Sequence, residues 1–161
     1  MRLGWVTVLA VYGAVSFLGD PRAALMQFVD QKEVVAACLV LEAGGEGPEG
    51  MQGVMNVIQN RAEGEAGRFY AEVTRPWQFS SLNNAPGVVF KDYSGVIARA
   101  RQSPAWKEAE ALVGRAYGGD LPDITGGATH FYATRRESPP DWAVGSKETL
   151  ILGGHRFLAL R

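Results

Sequence analysis

LVLEAGGEGPEGMQGVMNVIQNR, residues 39–61, reads as the end of one helix, a glycine break and the whole of a second helix. The apolar run VVAACLVL leads into it from residue 34. Gly44-Gly45 is a helix-stop signal, so Glu42 falls in the last turn of the first helix. Asp30-Gln31-Lys32-Glu33 has the pattern of a capping box and predicts that this helix starts at Asp30. Pro48 suits the first position of the second helix. Met51, Val54, Met55, Val57 and Ile58 then recur at helical spacing, so one face is buried, and the helix should end near Asn60-Arg61.

Downstream, residues 63–95 are rich in turn formers, and TRPWQFSSLNNAPG predicts a long irregular segment. A short helix is expected over 93–100. Another is expected to open at Ser103-Pro104 and stop at Gly118-Gly119. The character changes after Asp120. ATHFYAT (128–134) has strand propensity, and TLIL, Gly153-Gly154, HRFLAL predicts a hairpin with a primed two-residue turn. The fold class is α+β: mostly helical, with a small antiparallel sheet or hairpin near the C-terminus.

The chain has 161 residues and a formal net charge of −1. That length suits one compact domain with a real core, placed here at residues 30–161. The charge balance argues against a nucleic-acid footprint and is silent about a neutral polymer such as a glycan. The lone Cys38 excludes an intramolecular disulfide and reads as a small buried hydrophobe. MRLGWVTVLAVYGAVSFLGDPRAA, residues 1–24, places one cation before an uncharged stretch from Leu3 to Gly19. It suits an export signal or a membrane anchor (residues 3–19), although Pro21 and Arg22 sit where a cleavage site prefers small residues. A buried N-terminal helix is the alternative.

Glu42 is the first candidate for chemistry. Burial by an oily helix and the negative end of the helix dipole both raise a carboxyl pKa. A carboxylic acid still protonated near neutral pH can protonate a leaving oxygen, as glycosidases require. The glycines at 44, 45 and 47 would let a bulky substrate approach the backbone. Glu42 could equally be an ordinary glutamate at a helix end. Glu46 would share its face only if the helix ran on through the glycines. Glu49 suits the first turn of the second helix, where an acid complements the dipole. His130, His155 and Glu46 are of metal-ligand type, but no HExxH or close His/Cys spacing accompanies them, and no metal or cofactor is expected. Neither GxSxG nor a phosphate-binding glycine loop is present. Trp77, Gln78, Phe79, Asn83, Asn84, Phe131, Tyr132 and Trp142 could form a glycan groove, or several could be core.

Residues 42–61 resemble the opening motif of the cell-wall hydrolase family typified by the catalytic domain of spore-cortex-lytic enzymes: E-A-x-G-E, a short turn, E-G, then a helix ending in N-R. QFS (78–80), PD followed by TGGATHFY (122–132), Trp142 and GGHRFLAL follow in order, so the resemblance covers roughly residues 33–160. It implies a lysozyme-like or transglycosylase-like fold acting on the glycan strands of peptidoglycan. It implies that Glu42 is the catalytic acid/base. Glu46, Gln78, Phe79, Ser80, His130, Phe131 and Tyr132 would line or support the cleft. The implied reaction is cleavage of the MurNAc-β-1,4-GlcNAc bond, with a lytic transglycosylase ending favoured over a hydrolase using a second carboxylate. The protein is expected to be exported to the periplasm or cell wall and to act as a monomer. A bacteriophage lysis or entry enzyme fits as well as wall remodelling. The rival classes are a metal-dependent amidase and a non-catalytic glycan-binding or virion protein.

Overall fold

The computed structural model describes the backbone of residues 21–86 and 91–160, and the side chains from residue 31 onward within those ranges. The segment 3–19, read above as a signal or anchor, lies outside the described residues. Among the described residues, no helix is long and apolar enough to cross a membrane. The chain divides into two compact units, Met1–Gln31 and Lys32–Arg161. The second contains every candidate site residue.

Helix α1 spans Pro21–Ala43. The expected start at Asp30 is therefore incorrect. The preceding PRAALMQFV is itself helix-forming, with proline suited to the first turn, so the helix passes through the capping-box sequence without a break. Glu33, the residue meant to reach back, instead forms an ion pair with Arg101. The C-terminal end is where the glycines put it. After Ala43 the chain makes one 3-10 turn, Gly44–Glu46, and then adopts φ 76° at Gly47, a value that favours glycine.

Helix α2 spans Gly47–Arg61 with Pro48 in its first turn. Met51, Val54, Met55 and Ile58 are buried along it, as the periodicity requires. The segment expected to be irregular is more ordered than its turn formers suggest. It holds a 3-10 turn at Ala66–Arg68, helix α3 at Phe69–Thr74 and helix α4 at Ser80–Asn83. Helix α5 covers Ser94–Arg101. Helix α6 covers Trp106–Gly118, two residues beyond the expected start, because Ser103 and Pro104 form a separate turn in which Ser103 Oγ accepts the Ala105 N–H at 3.2 Å. Gly119, at φ 78°, ends α6 in the left-handed conformation.

Val35, Leu39, Met51, Met55, Ile58, Phe69, Phe79, Leu112 and Val113 form one buried core joining the helices of the second unit. The sheet contains β1 (His130–Ala133), β2 (Lys147–Leu152) and β3 (His155–Ala159), in the antiparallel order β1-β3-β2. Register pairs Phe131 with Phe157 and Leu152 with His155. Gly153-Gly154 is the two-residue turn, and only Gly153 has positive φ (56°), the pattern of a II′ turn. The sheet rests on α2: Phe157 packs with Val57 and Ala128. A Cβ placed on Gly53 would come within 2.6 Å of the Phe157 ring, so glycine permits the approach.

The loop between α6 and β1 is tied to α2 by amides. Asn56 donates to Pro122 O at 3.1 Å and accepts the Ile124 N–H at 3.0 Å. Asn60 donates to Ala128 O at 2.9 Å. Asp123 accepts N–H groups from Thr125 and Gly127, both at 2.7 Å. The PD…TGGA stretch is thus shaped by internal hydrogen bonds, and these deliver β1 to the side of α2.

Candidate active site

Glu42 sits in the last turn of α1, half-buried, with the fully buried Cys38 one turn before it. The Cys38 thiol is pushed well above its ordinary range, first by burial and then by the negative charge of Glu42. On its open side Glu42 meets the start of α4. Ser81 donates its backbone N–H to Glu42 Oε1 at 3.1 Å, and the Ser80 hydroxyl donates to the same oxygen at 3.5 Å. Among the described residues, no hydrogen bond engages Oε2. One carboxyl oxygen is fixed and the other is available to a ligand.

Glu46 is differently placed. The helix does not continue past Ala43, so Glu46 does not extend a shared face with Glu42. Its carboxylate turns to the β2–β3 hairpin, where Oε2 accepts the Gly154 N–H at 2.9 Å. His155 Nδ1 lies 3.0 Å from the same oxygen, off the direction of a hydrogen bond. A Cβ on Gly153 or Gly154 would fall 2.5 or 2.7 Å from the Glu46 carboxylate. The glycine pair therefore makes the turn and also makes room for this acid.

Strand β1 presents two faces. Phe131 points inward, with ring centroids 6.3 Å from Phe79 and 5.8 Å from Phe157, and meets the His155 ring edge-on at 4.9 Å. His130 and Tyr132 share the other face, where Trp142 lies 5.3 Å and 6.0 Å from their rings. Trp142 is about half exposed, at 45%. Phe79 is 1% exposed and packs against Phe131 from the core side. Gln78 is half-buried; its backbone N–H closes a turn on Arg75 O at 3.3 Å, and its side-chain amide makes no hydrogen bond among the described residues.

Arg61 links these groups, and sequence reasoning gave it no role although it closes the N-R of the opening motif. Its Nε donates to Thr129 O at 2.6 Å, and its guanidinium lies 5.5 Å from the Phe79 ring. Its charge, second to burial, pushes the His130 imidazole down to about 4. His130 is therefore neutral at ordinary pH, with Nδ1 3.1 Å from Thr129 Oγ1. The Ser81 amide was also missed, because a backbone donor leaves no signature in residue type. Among the described residues, no three His, Cys, Asp or Glu side chains gather where they could hold a metal ion.

The sequence profile of the Cell Wall Hydrolase family matches residues 45–158. The chain belongs to the cell wall hydrolase family. The catalytic domain of the Bacillus cereus SleB protein has a similar fold, with a TM-score of 0.56 at 18% identity over 80% of this chain and 89% of that one. The catalytic domain of the germination-specific lytic transglycosylase SleB from Bacillus anthracis matches at 21% identity and a TM-score of 0.48, covering 80% of this chain and 93% of that one. A search of curated proteins returned no match. This cell wall hydrolase has the mostly helical body and small C-terminal antiparallel sheet that the sequence predicts.

Proposed function

We propose that the protein is a peptidoglycan-degrading glycosidase that cleaves the MurNAc-β-1,4-GlcNAc bond with Glu42 as a single acid/base. The observation that carries this reading is the anchoring of Glu42. Oε1 is held by the Ser81 N–H and the Ser80 hydroxyl, while Oε2 carries no hydrogen bond among the described residues.

The protonated Glu42 gives its proton to the glycosidic oxygen, the bond from that oxygen to C1 of the muramic sugar breaks, and GlcNAc departs with its 4-hydroxyl restored. Positive charge develops at C1 and the ring oxygen. The Glu42 carboxylate then takes the proton of the muramic-acid 6-hydroxyl, and O6 bonds to C1 to give a 1,6-anhydro end. No water is consumed, and Glu42 is again protonated. The engagement of Glu46 with Gly154 and His155 supports this ending over one that needs a second free carboxylate. In this reading Glu46 is a positioning residue. The neutral His130, with Tyr132 and Trp142, offers hydrogen bonds and aromatic faces to the sugars. Action on the wall requires export, which residues 1–24 would direct or anchor, and a monomer suffices for the chemistry.

The test is digestion of purified peptidoglycan, with the sugar ends identified by mass spectrometry and Glu42→Gln run in parallel. Anhydro ends that vanish in the variant are expected. Reducing ends would replace the transglycosylase with a hydrolase, and intact glycan with released stem peptides, sensitive to chelation, would replace it with an amidase.

A further inference from the structure

The structure places Trp77 in a conformation that the fold itself does not use. Residues 75–78 form a turn closed by Gln78 N–H on Arg75 O, with Pro76 second and Trp77 third at φ 67°. This is the type II pattern, in which the third position calls for glycine or asparagine. A bulky residue there is an outlier that holds strain. The indole is also 85% exposed, so burial does not offset that strain. The conformation is nevertheless fixed, because Asn83 Oδ1 accepts the Trp77 backbone N–H at 3.0 Å.

Trp77 is one of the residues that line a groove. Val73, Leu82 and Tyr93 line it with apolar surface, and Asn83 and Lys91 supply polar groups. Among the described residues, the Asn83 side-chain N–H2 has no hydrogen-bond partner, and Lys91 Nζ donates to Ala85 O at 3.0 Å. Asn83 ends α4, the helix whose opening residues, Ser80 and Ser81, hold Glu42. Four helical residues span about 6 Å, so the groove and the acid lie at the two ends of one short element.

We propose that this groove is a binding subsite for an N-acetylhexosamine of the glycan strand, beside the bond that Glu42 cleaves. This inference rests on the glycosidase reading above. The indole stacks on the C–H face of the pyranose ring, the apolar floor receives the acetamido methyl, and Asn83 and Lys91 bond the hydroxyl or amide oxygens. An aromatic face, an amide and a cation around an apolar floor match that sugar's chemistry.

The test separates binding from cleavage. Glycan strands freed of stem peptides are titrated by calorimetry into Glu42→Gln protein carrying Trp77, Trp77→Phe or Trp77→Gly. Trp77→Gly suits the left-handed backbone, so its Tm should be unchanged or higher, while affinity falls about three- to tenfold, the scale of one stacked aromatic contact. Trp77→Phe should retain part of the affinity. Equal binding by the Trp77 and Trp77→Gly proteins overturns the subsite, as does no binding by the protein with Trp77 intact. Weakened binding in Trp77→Gly, alongside wild-type protein that leaves glycan uncut, would sustain the subsite and remove the glycosidase reading.

Discussion

The backbone N–H of Ser81 donates to Glu42 Oε1 at 3.1 Å, joining the end of α1 to a helix 39 residues further along the chain. The contact orients the acid without a second ionisable group. Glu42→Gln preserves the acceptor oxygen while removing the transferable proton. Wall-degrading activity should fall by about 10²- to 10⁴-fold, the usual worth of a general acid, with little change in Tm. Turbidity clearing of purified walls, with thermal melts of both proteins, checks this.

Glu46 should prove necessary for the hairpin. Gly154→Ala puts a methyl 2.7 Å from Oε1 of its carboxylate, the far end of a half-buried side chain that must then shift. The displaced carboxylate gives up its hydrogen bond from the Gly154 N–H, a cost of about 0.5–1.5 kcal/mol, read as a drop in Tm or in the denaturant midpoint. The exposed Gly67, where an added Cβ meets nothing within 4 Å, provides a control that should change far less.

Asn56 is fully buried and bonds the 122–124 loop through both ends of its amide. Asn56→Ala takes the acceptor from the Ile124 N–H, leaves the Pro122 carbonyl to Gln52 Nε2 alone at 3.0 Å, and removes the bond to Gln59. The three bonds of the Asn56 amide, to Gln59, Pro122 and Ile124, contribute about 0.5–1.5 kcal/mol each, so the loss of stability should exceed that of Gly154→Ala. Chemical denaturation of the two variants side by side compares them.

His130 sets a pH dependence. Its folded-state value is depressed to about 4, chiefly by burial and then by Arg61. The unfolded chain therefore binds the proton first as pH falls. The stabilisation from keeping His130 neutral is complete above about pH 6.5, the unperturbed value, and is lost as pH falls toward 4. His130→Gln should flatten the Tm profile across that window and leave it unchanged above pH 7.

Both ends of the opening stretch were legible because glycine and proline act locally. Gly44-Gly45 and Pro48 place the break between α1 and α2 whatever packs around them. The start of α1 was not, since a capping box marks a boundary only where the preceding residues resist helix, and PRAALMQFV does not. The hairpin followed from alternation and Gly153-Gly154, but its insertion beside β1 depends on contacts far apart in sequence. Glu42 was singled out by its place at the end of an oily helix. The amide that holds it, the turn of Glu46 toward Gly154, and the reach of Arg61 to Thr129 all depend on tertiary approach and left no local pattern.

The sheet order β1-β3-β2 puts the last-made strand in the middle. Neither β1 nor β2 has a partner until residues 155–159 leave the ribosome, and the carboxylate of Glu46 has no Gly154 to receive it before then. The helices of the second unit can assemble earlier, as local contacts form first during synthesis. A chain interrupted before residue 155 would thus carry Glu42 without the sheet formed. An enzyme able to cut the wall is then assembled only after β3 has been made.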